Sequence, residues 1–197
     1  MTTTTYRTKG GLLLTIRPLR PDHAPYLYHQ FAHLSPQSRY MPFHLALEHA
    51  RIRFGWKRPQ LYRRHPAPSQ GWLAFGDLPK GGGPQACIGG ARFIVTGPGI
   101  AEASLTVRDD FQGQGIGTEL LRLLIVEAQK AGVRTLAADA QASNRSVFRS
   151  VRRLRRLGLA YQSSTHAGET HLEIDLGEVS LDETLREDDH PAPELSS

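Results

Sequence analysis

Between residues 100 and 117 the chain changes its hydrophobic period. IAEASLTV alternates as a strand does, and RDDFQGQGIG then gives way to TELLRLLIVEAQKAG. In that last stretch and just before it, Ile116, Leu120, Leu121, Leu124, Ala128 and Ala131 recur at helical spacing. Strand, glycine-rich turn and helix follow one another with no linker. The first amides of a helix have no intrahelical partner, so the turn must present them to something. An anion is the natural occupant. Two familiar phosphate sites do not fit. A P-loop needs a Lys-Ser/Thr pair after its glycines, which is absent, and a dinucleotide fold needs G-x-G-x-x-G opening a parallel βαβ unit. Here the preceding strand belongs to a meander. What survives is a pyrophosphate held mainly by backbone amides.

The meander reads from its punctuation. Residues 71–75, 85–95 and 100–107 are strand candidates separated by PKGGGP and by Gly97-Pro98-Gly99. Before them, residues 12–17 form a strand ending at Pro18, and residues 24–33 a helix opened by Pro21-Asp22. Ser35-Pro36 is a second helix start, serine as cap and proline at the first helical position. Residues 44–65, rich in Arg and His, are expected to be helical with a loop. After the helix that ends at Gly132 come a strand at 133–140, a helix at 144–157 and strands at 159–163 and 170–176. The expected fold is α/β (α+β), a mixed, mostly antiparallel sheet of about seven strands flanked by helices. Residues 1–10 are expected to be a flexible N-terminus, 11–176 the folded domain and 177–197 an acidic disordered tail.

Charge supports that division. Residues 177–197 hold seven acidic residues and one basic one, which leaves 23 basic against 12 acidic in residues 1–176. A basic body suits a polyphosphate ligand, although nucleic acid and anionic lipid share that attraction. Cys87 is the lone cysteine, so neither an intramolecular disulfide nor a cysteine zinc site can form. The start, MTTTTYRTKGG, lacks the apolar stretch of a signal peptide, and no run is long enough to span a bilayer. A cytoplasmic protein without a membrane partner is the expectation.

The turn also carries a resemblance. Gln112-Gly113-Gln114-Gly115-Ile116-Gly117 matches the [RQ]-x-x-G-x-[GA] signature of the GCN5-related N-acetyltransferases, and the likeness runs from Ile100 to about Leu176. Thr15-Ile16-Arg17-Pro18 and the segment LSPQSRY from Leu34 resemble the acetyltransferase domain of bacterial protein lysine acetyltransferases. The resemblance implies the GNAT fold and acetyl-CoA as co-substrate. In that family the strand before the signature splays from its neighbour and pairs with the pantetheine arm, which places Leu105 and Val107 in that role here. It implies that the amides of Gln112, Gly113, Gln114, Gly115, Ile116, Gly117 and Thr118 bind the pyrophosphate, and that Asn144 contacts the cofactor from the start of its helix. The plainer alternatives are a tight turn shaped by glycines and an Asn144 that only caps its helix.

An amine attacks a thioester only when unprotonated, and a lysine with pKa near ~10.4 is rarely so at neutral pH. A general base is therefore expected. Glu102 is the candidate, on the strand leading to the signature, with Ser104 and Thr106 on its side and Ala103, Leu105 and Val107 on the other. Ala101-Glu102 matches an Ala-Glu in the resembling enzymes; a solvent-facing glutamate is the alternative. Relatives often carry a tyrosine acid where Val151 stands, and VRRLRRLGL adds about one helical turn to the usual ending, so no general acid is assigned.

The resemblance implies a primary amine as acceptor, a protein lysine ahead of a small amine. A non-catalytic module that senses or binds acyl-CoA stands as the alternative to an enzyme. Six arginines between residues 145 and 156 are read as a solvated basic face, since no nucleic-acid motif accompanies them. His29 and His33 share a helix face without a third ligand, so no metal is expected. Cys87 is read as a buried strand thiol in preference to an acyl carrier.

Overall fold

The computed structural model describes residues 3–35, 38, 69–77, 85–156 and 158–177. Its strands are β1 (Thr4–Arg7), β2 (Leu13–Pro18), β3 (Ser69–Gly76), β4 (Ala86–Gly97), β5 (Ile100–Val107), β6 (Thr135–Gln141), β7 (Ala160–His166) and β8 (Glu169–Asp175). Among the described residues three helices accompany them: α1 (Ala24–Ala32), α2 (Ile116–Lys130) and α3 (Arg145–Arg156). The eight strands form one sheet in the order β1-β2-β3-β4-β5-β6-β8-β7. Among them only β5 and β6 run parallel, joined through α2, and every other neighbouring pair is antiparallel. The mixed, mostly antiparallel sheet flanked by helices is thus as the sequence suggests, with one strand more.

That extra strand corrects the expectation of a flexible N-terminus. Thr4–Arg7 pairs with β2 from Thr4↔Ile16 to Arg7↔Leu13. Buried Thr8 then closes the turn: its hydroxyl accepts the Leu12 amide at 3.1 Å, and its amide donates to the Leu12 carbonyl at 2.8 Å. An edge strand buries one face only, and here that face offers one large apolar side chain, Tyr6, which packs on the core. Such a segment shows little hydrophobic pattern to read.

Two apolar layers hold the sheet. On one face, the stripe of α2 (Ile116, Leu120, Leu124 and Ile125, none more than 1% exposed) packs with Leu14, Ile16, Trp72, Ile88 and Phe93. Each such buried side chain contributes about 1.5–3 kcal/mol relative to exposure. On the other face, Leu27 of α1 meets Leu73, Phe75 and Cys87. Trp72 and Leu73 therefore serve opposite layers, as strand alternation requires. Helix α2 stops where expected. Gly132 takes φ +79°, its amide donates to Gln129 O and that of Val133 to Ala128 O, the two bonds of a Schellman cap. The helix signals at Ser35-Pro36 and in residues 44–65 lie outside the described residues, save for Ser35 and Ser38. So does the acidic tail beyond Gly177.

Candidate active site

The site begins with a parting of strands. β5 pairs with β4 along its whole length, from Ile100↔Gly97 to Val107↔Gly89. With β6 it pairs only at Ile100↔Thr135, Ala101↔Leu136 and Glu102↔Ala137. Beyond Glu102 the two strands separate. A cavity of about 360 Å³ opens between residues 103–107 of β5 and residues 138–140 of β6, with the glycine turn, the start of α2 and one face of α3 as its other walls. Backbone groups in a sheet interior are normally paired, so this unpaired edge is a place for a ligand's hydrogen bonds. Thr106 adds a buried hydroxyl that has no hydrogen-bond partner among the described residues.

The turn is built to expose amides. A 3-10 turn at Asp109–Phe111 leads into Gly113 (φ +79°) and Gly115 (φ +88°), the latter the N-cap of α2 in the left-handed region. A side chain at Gly115 is excluded twice, by that φ and by the Tyr6 hydroxyl, which occupies the place of a Cβ. Gly117 differs. A Cβ there would meet Leu105 and Val107 at an ordinary 3.7 Å.

Polar contacts fix the turn from several sides. The Gln112 amide group donates to Val107 O at 3.3 Å and to Asp109 Oδ1 at 3.0 Å, while its oxygen accepts from Ser146 Oγ of α3 at 3.3 Å. Asp109 in turn accepts from the Ser35 amide and the Ser38 hydroxyl, so these two serines are tied to the turn. Arg108, only 5% exposed, makes a bidentate pair with Asp110 at 2.8 and 3.1 Å and lies over the Phe111 ring. The two aspartates before the glycines therefore brace the turn, a role the sequence did not disclose.

Of the residues singled out in the sequence, Leu105, Val107, Gln112, Gly113, Gly115, Gly117, Thr118 and Asn144 line this cavity. Three do not. Ile116 is a core residue, 1% exposed. Gln114 faces the β1–β2 turn, where its carbonyl accepts the Lys9 amide at 3.2 Å and its side chain lies beside Gly10. Glu102 is exposed at the last paired position before the split, outside the cavity wall. Asn144 Oδ1 accepts the Val147 amide at 3.3 Å, so it caps α3 and lines the cavity as well. Its cap role does not remove it from the site.

The arginines of α3 divide. Arg149 and Arg153, one turn apart, line the cavity, while Arg152 and Arg155 are exposed outside it. Arg149 is exposed all the same, as are Arg145, Arg152 and Arg155, in keeping with the solvated face expected, and Arg153 is half-buried. Lys9 also lines the cavity, from the turn that follows the unexpected strand β1. Asp139 on the β6 wall is held by His171 Nδ1 at 2.7 Å, and Glu173 stands 3.5 Å from Nε2, so the two carboxylates hold the imidazole's pKa above its ordinary value. Cys87 is elsewhere, 1% exposed on the α1 face. Burial pushes its thiol up to about 12, and its Sγ donates to Gln30 Oε1 at 3.3 Å. A thiol so protonated is no acyl carrier. Among the described residues, no three His, Cys, Asp or Glu side chains gather as metal ligands, and no helix is long and apolar enough to cross a membrane.

Comparison with known proteins agrees with this geometry. A family model for the acetyltransferase (GNAT) domain matches residues 14–159. Acetyltransferase Pat of Mycolicibacterium smegmatis is 39% identical over 69 residues, which are 34% of this chain and 21% of that protein. The GNAT domain of S. lividans PAT superposes with a TM-score of 0.66 at 21% identity, covering 88% of this chain and 96% of that one. A cAMP-binding acyltransferase from Mycobacterium smegmatis gives 0.57 at 25% identity, covering 95% of this chain and 52% of the other. The chain thus spans about a fifth of its curated relative and about half of the cAMP-binding enzyme.

Proposed function

The chain belongs to the GNAT acetyltransferase family, and from that premise we propose that it moves an acetyl group from acetyl-CoA to a primary amine, a protein lysine before a small amine. The observation that carries this reading is the split between β5 and β6 after Glu102, ending at a turn of exposed amides. A pantetheine arm is long, narrow and rich in amides, and the unpaired edge of residues 103–107 offers it strand-like hydrogen bonds. The pyrophosphate would then lie against the amides of residues 113–118, the Gln112 amide being taken by Asp109 O at 3.3 Å, where the helix start carries roughly half a positive charge. The thioester would reach the end of the split, beside Glu102.

In this reading Glu102 takes the proton from the incoming ammonium, directly or through a water, and the free amine attacks the thioester carbonyl. The tetrahedral intermediate collapses with loss of the CoA thiolate. Val151, buried on α3, has no proton to give, so the second proton shed by the attacking nitrogen passes through solvent to the leaving sulfur. The lysine acceptor is supported by the likeness to Acetyltransferase Pat over 69 residues and by the PAT-like LSPQSRY and Ala101-Glu102 segments.

Incubation with labelled acetyl-CoA and a panel of folded proteins and small amines, followed by mass spectrometry, tests the proposal. Acetyl-lysine in a protein is expected. Label confined to small amines would move the acceptor class. Binding of acetyl-CoA with no transfer to any amine would make the chain an acyl-CoA-binding module.

A further inference from the structure

Around the glycine turn stand three cationic side chains that the protein itself leaves largely unused. Lys9 and Arg153 have no ion-pair or hydrogen-bond partner among the described residues, and Arg149 has only Ser146 Oγ at 3.4 Å. The neighbouring carboxylates are occupied. Glu119 is held bidentate by Arg122 at 2.7 and 3.0 Å, and Asp139 by His171. Lys9 is placed rather than loose. Its amide is fixed to Gln114 O, and its side chain returns over the turn, with Cε 3.9 Å from where a Gly115 Cβ would lie. Arg153 comes from α3. A small outer hollow, bounded by Tyr6, Glu119 and Arg122, shares Lys9, Gly115, Thr118 and Arg153 with the main cavity. Lys9 and Arg153 thus mark the outer mouth of the site, from two separate elements.

A CoA thioester carries more charge than the turn can answer. Its pyrophosphate meets the amides and the helix start, worth about half a positive charge. A monoester phosphate adds about −1.5 to −2 at neutral pH. With the pantetheine arm running inward along β5, the nucleotide leaves the turn outward, toward Lys9 and Arg153. We propose that Lys9 and Arg153, with Arg149 beside them, hold the ribose 3′-phosphate, so that the protein selects a full CoA thioester over its 3′-dephospho form or a pantetheine thioester. This inference rests on the reading of the cavity as the acetyl-CoA site. It assigns work to the segment before β2 and to two of the α3 arginines.

Calorimetric titration of the full chain with acetyl-CoA and with 3′-dephospho-acetyl-CoA tests it. The wild type is expected to lose about tenfold or more in affinity when the 3′-phosphate is removed, as suits charge-assisted hydrogen bonds. Lys9→Ala and Arg153→Ala should each weaken acetyl-CoA by about five- to tenfold and leave the dephospho ligand within about twofold. That retained affinity also reports that the variants fold. Arg152→Ala, exposed outside the cavity on the same helix, should change neither. Equal binding of both ligands by the wild type, or variants that weaken both in the same ratio, would overturn the proposal while leaving the donor site standing. A wild type that binds neither ligand would remove the donor site and this inference together.

Discussion

Along one edge β6 keeps seven register pairs with β8, from Thr135↔Asp175 to Gln141↔Glu169; along the other it keeps three with β5. The β8 edge is ordinary sheet. Its backbone bonds are satisfied within the protein, and Leu172 and Ile174 turn one face of β8 to the interior. The β5 edge starts the same way and then gives up its pairing for a cavity. What separates them is the turn that follows. β8 lies between β6 and the edge strand β7, whereas β5 runs into Arg108–Asp110, Asp109 with Ser35 and Ser38, and Gln112 with Val107 and Ser146. These contacts hold the end of β5 to the turn and to α3. One edge of β6 is therefore filled by strand pairing, and the other opens onto the cavity.

The sharpest way to break that contrast is to fill the split without unfolding the protein. Gly115 cannot serve, because any Cβ there is excluded by φ and by Tyr6. Gly117→Asp can. Its Cβ fits, and an acid in the first turn favours the helix. The same charge would repel a pyrophosphate, so acetyl-CoA affinity should fall by about 100-fold or more with thermal stability kept, as calorimetry and melting would show. Glu102→Gln should come next. We expect kcat to fall about 100-fold with acetyl-CoA affinity unchanged, the loss growing smaller at high pH where the ammonium loses its proton unaided. A normal kcat across the pH range would place the base elsewhere.

Smaller effects separate bracing from binding. Asp109→Ala removes the acceptor shared by Ser35, Ser38 and Gln112, and should cost about 1–3 kcal/mol of stability in denaturant unfolding. Cys87→Ala should leave kcat unchanged, and the native thiol should resist alkylation near neutral pH, since burial holds it protonated. Smallest is the ordinary edge. The pKa of His171 is raised in the fold, so its contribution is fully present below the unfolded value of about 6.5 and is lost as pH rises through the folded value. His171 is nearly half exposed, so His171→Ala should cost less than about 1 kcal/mol at pH 5.5 and nothing measurable at pH 9.

Much of this was legible in the residues. The change from alternation to helical spacing around QGQGIG located β5, the turn and α2, and the glycine at 132 located the end of that helix. Leu105, Val107 and Asn144, which the resemblance makes cofactor contacts, line the cavity. What escaped notice has a common physical cause. β1 is four residues of an edge strand, TTYR, with one large apolar side chain, and gives no period to detect. Lys9 depends on that strand, so its place at the site was hidden with it. Which of the α3 arginines border the cavity depends on the side of the helix that faces it, a tertiary fact that spacing alone does not carry. The bracing by Asp109 and Asp110 carries no sequence signal, because their partners are a buried arginine beside them and serines some seventy residues away.

The central claim is that the unpaired edge of β5 holds the acyl donor. Backbone hydrogen exchange with and without acetyl-CoA measures it directly. The account predicts slowed exchange on donor binding in peptides covering residues 103–107 and 112–118, and no change in β8. Binding that leaves residues 103–107 unprotected, or protects the β6–β8 edge instead, would contradict it.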